Sequence, residues 1–207
     1  MSWKALLAAA FATALFASSP SILAHDDAKT IDADGFIKVW LLLAPIPLAD
    51  GESQSDAIDK EKIKDEAKLN PKEGDKVKVD KLELTWKKQV AEDFYFDFNR
   101  LIGEVKEQQV GYAATTIISA EEVKDVILKV GSDDGCKVWL NGKEIGKDTS
   151  DRALEKDQNE FDKLTLKKGA NVLLFKVGNG IADWTGCARF VDKDGKPIAG
   201  LKVELKK

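Results

Sequence analysis

Six side chains carry most of the chemistry open to this chain: Asp133, Asp134, Trp139, Arg152, Trp184 and Arg189. An indole face suits the C–H face of a sugar ring, while guanidinium and carboxylate groups hydrogen-bond hydroxyls. Trp139 alternates out of phase with Val138 and Leu140, so it points away from the core that those two enter. Trp184 follows the glycine-rich stretch Gly178-Asn179-Gly180. Each residue also has a plainer role. The tryptophans can cover a sheet edge and the arginines can pair with nearby acids. Asp133-Asp134-Gly135 can shape a turn through side-chain-to-backbone hydrogen bonds. The neighbouring carboxylates of Asp133 and Asp134 are the weak metal candidates of the chain, for calcium. No other cofactor is implied.

Other chemistries find no residues. His25 is the single histidine, so neither a Ser-His-Asp nor a Cys-His set beyond that terminus can be assembled. There is no glycine-rich phosphate loop and no zinc-ligand spacing. Asp192-Lys193-Asp194-Gly195 looks like the start of a calcium loop but lacks the remaining ligands, and reads as a hairpin turn. Paired carboxylates can hydrolyse glycosidic bonds, but among 36 acidic residues chance pairs are guaranteed and point nowhere.

The charges are balanced and interspersed, 32 basic against 36 acidic, with no basic block. That argues against nucleic acid as a partner. Residues 1–24 read as a signal peptide: Lys4 is the positive n-region, Ala5 to Ala17 the apolar stretch, and Ala24 the small residue before cleavage. The apolar stretch is shorter than the roughly 20 residues a spanning helix needs, so no transmembrane segment is expected after cleavage. The protein is therefore expected to be exported, to a periplasmic or extracellular location. In such a compartment Cys136 and Cys187 are enough for one disulfide, although each also suits a buried small hydrophobe.

The elements that must position these residues are almost all strands. Residues 25–35 read as a flexible leader and 36–207 as one domain. Phe36 to Ala44 is apolar on both phases, as in a strand covered on both faces, with Pro45 and Pro47 ending it. Ser53 to Leu69 is the one helical segment, with Ser55 or Asp56 as cap and a thin apolar face, hence a short surface helix. From Gly74 onward period-two patterns dominate. Phe94, Phe96 and Phe98 share a face that reads as core. Val172 to Val177 is apolar on both phases and is expected to be a central strand. Asn141-Gly142 favours a type I′ hairpin turn after Cys136 to Leu140. Roughly nine or ten short strands between turn residues make the fold all-β, an antiparallel β-sandwich or closed barrel.

The run Gly131-Ser-Asp-Asp-Gly135, then Lys137-Val-Trp-Leu-Asn-Gly142, Arg152, Asp157-Gln158, Leu166 to Val177, Trp184 and Ala188-Arg-Phe190 resembles the galactose-binding-like jelly roll. The Ser-Asp-Asp-Gly portion is also similar to PA14-type β-sandwiches, some of which bind sugars through calcium on neighbouring aspartates. The resemblance implies a β-sandwich and a non-catalytic module that binds carbohydrate or another extracellular surface. Two alternatives stand beside it: a structural or protein-interaction module of the cell envelope, and a small glycoside hydrolase.

Overall fold

The computed structural model describes residues 30–206. The signal-peptide reading and His25 lie outside the described residues. All named strand pairs are antiparallel. In chain order the elements are β1 (Val39–Pro47), α1 (Gln54–Asp59), a 3-10 turn (Glu66–Lys68), β2 (Lys76–Val79), β3 (Leu82–Thr85), β4 (Lys87–Val90), β5 (Phe96–Asp97) and α2 (Phe98–Ile102). They continue with β6 (Gln109–Ser119), β7 (Val123–Asp133), β8 (Cys136–Leu140), β9 (Lys143–Asp148), β10 (Asn159–Leu166), β11 (Gly169–Asn179), β12 (Thr185–Val191) and β13 (Lys202–Val203).

A seven-stranded sheet runs β4-β1-β6-β11-β8-β9, with β13 added beside β6. A four-stranded sheet runs β10-β7-β12-β5. The sequence expectation of an all-β antiparallel sandwich is met. Among the described residues two short α-helices are present rather than one. The sandwich interior is built by alternate residues of both sheets: Trp40, Leu42, Ala113, Val138, Leu173 and Phe175 from the large one, Leu128, Val130 and Phe190 from the small one. Phe96 and Phe98 lie in this core, with Phe96 edge-on to Trp40 at 4.9 Å between centroids. Side chains of the opposite phase form a second core on the outer face of the large sheet, among them Leu41, Leu43, Tyr112, Ala114, Trp139 and Leu174. Ala57, Ile63, Val79 and Trp86, from the segment between β1 and β4, cover it. This third layer is why β1 is apolar on both phases, and why β11, between β6 and β8, nearly is.

Several local expectations change. Helix α1 ends at Asp59, although the pattern ran to Leu69. Its cap is Ser53, whose hydroxyl accepts from the Asp56 N–H while the Asp56 carboxylate accepts from the Ser53 N–H. Lys60 is extended, and its carbonyl accepts from the buried Lys176 ammonium. A helix with a thin apolar face gains only about 0.2–0.5 kcal/mol per i,i+4 pair, too little to compete with a buried ion. Pro45 does not end β1, which runs on to Pro47, its last residue. The register shifts between Leu43 and Ile46, and that irregularity admits a residue with no N–H to donate. Residues 30–35, expected in the leader, form a turn seated on β12. Ile37 N–H donates to Ala188 O and Arg189 to Asp34 O.

Both long seams of the sandwich are closed. On one side the Gln89 amide makes paired bonds to the Asp97 backbone, at 2.7 and 2.9 Å. On the other the Phe161 ring of β10 occupies the place a side chain on Gly146 of β9 would take.

Candidate functional site

Strand alternation sends Trp139 of β8 out of the sandwich interior, as its phase predicted, but into the second core rather than to solvent. It is 3 % exposed. Its ring carries the Lys137 ammonium at 5.4 Å from the centroid. Residues Ala67, Lys68, Leu69 and Asn70 pass beside it, and a shallow cleft opens on each side. One, of about 380 Å³, is lined by Trp139, Asn70, Asn141, Lys167, Val172 and Leu174, among others. The other, of about 320 Å³, is bounded by Trp139, Lys137, Asp59, Glu61, Asp65 and Glu66 with the same Ala67–Lys68 step. Volumes near 300 Å³ and above are those of small-ligand sites. Asn141 has positive φ, as its turn requires, and its amide is spent within the fold. It donates to Asn171 Oδ1 at 2.9 Å and accepts from Val172 N–H at 3.0 Å.

What holds the covering segment over Trp139 is a buried polar cluster that sequence reading missed. Lys176 is 0 % exposed and donates to Glu66 Oε2 at 3.0 Å and to Lys60 O. Tyr112 donates its hydroxyl to the same carboxylate. Burial pulls the Lys176 ammonium below its usual range against the opposing pull of Glu66, and pushes the Tyr112 phenol up. A second buried carboxylate, Glu52, binds Lys62 at 2.5 Å. Burial works to raise Glu52, but the bonds from Lys62, Ala49 N–H and Lys60 prevail and hold it down at about 2. The available signal was one lysine inside the apolar run Val172 to Val177, on the phase facing away from Phe175. A cation there must be met by an acid from a covering layer.

Asp133, Asp134 and Arg152 come together, at the end of the sandwich where the chain crosses between sheets. Three connections make that crossing: Asp134-Gly135, residues 149–158 and residues 180–184. Asp134 ties all three. Its Oδ1 accepts from Arg152 N–H at 3.1 Å and its Oδ2 from Gly180 N–H at 2.7 Å. The Arg152 guanidinium reaches Asp148 at 2.9 Å, Asn159 at 2.8 Å and Ser132 Oγ at 2.6 Å. Burial opposes ionisation of Asp148, but bonds from Ser150 and Asn159 with the Arg152 charge hold it at about 2. Asp133 is half-buried, and burial, then the charges of Asp134 and Asp183, push it up to about 6. The pair does not fit a calcium ion. Both Asp134 oxygens are taken by backbone N–H groups, and among the described residues no three Asp, Glu, His or Cys side chains are grouped to hold a metal.

Trp184, the last residue of the third connection, and Arg189 of β12 take no part in that network. Trp184 is fully buried, stacked on Phe98 with centroids 4.5 Å apart, and its indole N–H donates to Val177 O at 3.2 Å. It is core rather than platform, because the loop that carries it folds under α2. Arg189 forks onto Asp157 and anchors the turn at Asp34. Cys136 and Cys187 are both buried free thiols, not a disulfide. Burial raises both thiols, Cys187 to about 12. Of the predicted residues, then, Trp139 alone lines a described cleft of ligand size. No protein-family model matches the chain, and neither does any curated protein.

Proposed function

We propose that the protein is an exported, non-enzymatic β-sandwich module that binds carbohydrate, with its site at the clefts beside Trp139. The single observation that supports this most is the cleft of about 380 Å³, which sets half-buried Leu69 and Val172 over the buried Trp139 and Leu174, with amide and ammonium groups at its rim. That mixture of apolar floor and few polar groups suits a sugar ring. The fold agrees with the galactose-binding-like resemblance at the level of an antiparallel sandwich, and a sandwich alone is compatible with many functions. Export, to the periplasm or beyond the cell, rests on the residue pattern of Met1 to Ala24.

A polysaccharide panel in affinity electrophoresis tests this reading, with Asn70→Ala as the site variant, since Asn70 is exposed and bonds to nothing else described. Retardation by at least one glycan, weakened in the variant, is the expected result. A folded protein that no glycan retards refutes it. A second reading, docking of an envelope protein, is favoured by two aliphatic side chains left in solvent, Val105 at 63 % and Ile181 at 68 % exposure. Their loops are joined by Gln108 N–H to Gly180 O at 3.0 Å, so both belong to one end of the sandwich.

A further inference from the structure

We infer that the ligand of the Trp139 cleft is an anionic saccharide, a sugar ring that carries a carboxylate or sulfate group. The inference rests on the carbohydrate reading above and narrows it. The two clefts beside Trp139 differ sharply in charge. The smaller is bounded by four acids, Asp59, Glu61, Asp65 and Glu66, against two lysines. The larger has no acid in its lining; its charged residues are Lys68 and Lys167. In a chain with 36 acidic residues and a net charge of −4, an acid-free cleft with two cations is a local inversion of sign.

The two lysines are not equivalent. Lys68 is already paired with Asp65 at 2.8 Å. Lys167 is exposed and has no acidic partner among the described residues, although its backbone is fixed by Asn171, whose Oδ1 accepts the Lys167 N–H at 2.9 Å. Asn70 likewise presents an amide with no protein partner among the described residues. The geometry therefore offers half-buried Leu69 and Val172 to the ring, above a covered floor of Trp139 and Leu174, with one amide for a hydroxyl and one unspent ammonium for an anion. A lone exposed ion pair is weak and salt-sensitive, so tight retention comes from repeated units along a polymer.

The test is affinity electrophoresis of the whole folded chain in gels carrying polygalacturonate, a sulfated galactan or a neutral galactan, at low and at roughly physiological salt. At least one anionic polymer should retard the protein about tenfold more strongly than the neutral one, and salt should weaken that retardation. Preference for the uronate or for the sulfated polymer identifies which anion is read. Lys167→Glu should abolish the preference, whereas Lys193→Glu, in the exposed turn after β12, should leave it intact. Equal retardation by neutral and anionic polymers, lost in Asn70→Ala but unchanged in Lys167→Glu, overturns the anionic ligand and leaves the carbohydrate site standing. Equal losses in Lys167→Glu and Lys193→Glu mean diffuse charge attraction and also overturn it. No retardation in any gel removes both.

Discussion

Replacing Lys176 by methionine tests the buried cluster that holds the outer layer down. The substitution keeps the length of the aliphatic stem and deletes the ammonium. In the native fold that ammonium is 0 % exposed and meets Glu66, itself 6 % exposed, at 3.0 Å. Without it the Glu66 carboxylate keeps only neutral donors, the Tyr112 hydroxyl and the Lys62 N–H at 3.4 Å, and Lys60 O loses its donor. An uncompensated buried charge of this kind costs about 3–5 kcal/mol. For a chain of this size that is on the order of 10 °C in Tm. Urea unfolding followed by tryptophan fluorescence reads the loss, since Trp86 and Trp139 both lie in the second core. Glu66→Gln in the same background is the control. It removes the stranded charge and keeps an acceptor for Tyr112, so the double variant should recover about 2 kcal/mol relative to Lys176→Met. Loss below about 1 kcal/mol in the single variant, or a double variant less stable than the single, would refute the reasoning.

Asp133→Asn should stabilise the protein at neutral pH by about 1 kcal/mol, after allowance for solvent screening. The sign follows from a folded-state pKa of about 6 above the ordinary 3.8: ionisation penalises the fold, the penalty grows as pH rises through that window, and it is absent below it. Denaturation midpoints of the variant and the parent should therefore converge by about pH 3.5 and separate by about pH 7; a constant gap contradicts this. Gly146→Ala puts a methyl where the Phe161 ring lies and should cost about 1–3 kcal/mol by prising β9 from β10; an unchanged urea midpoint means that the seam is not closed as described. Cys136 and Cys187 should resist a thiol reagent at pH 8 until the chain is unfolded, when both react, because burial removes both access and thiolate; rapid labelling of the native protein, or no free thiol after unfolding, contradicts this.

The crossover end and the Trp139 face show two different reasons why a chemically suggestive residue need not be a site. At the crossover, both Asp134 oxygens are spent on joining the connections, and the Arg152 guanidinium binds Ser132, Asp148 and Asn159 at the ends of β7, β9 and β10. At the Trp139 face the indole is free of polar duty but covered. What remains to contact a ligand is the rim around it, and the rim residues Asn70 and Lys167 attract no notice in a sequence rich in polar side chains.

Strand identity was legible in the chain because it is local. Period-two alternation places Cys136, Val138 and Leu140 on one face and Lys137 and Trp139 on the other whatever the partners are, and Asn141-Gly142 turns the hairpin through its own φ preferences. The doubly apolar β1 and β11 likewise announced strands with both faces covered. What covers the second face was not legible. That depends on pairs such as Glu66 with Lys176 and Glu52 with Lys62, and on Trp86 and Ile63 reaching the outer sheet, and no local pattern encodes a contact between distant segments. The same long-range pairing cut the helix at Asp59, buried Trp184 beneath α2 and drew Trp139 from the surface into a second core. Local periodicity determined which way each side chain points; only the tertiary packing decided what it meets there.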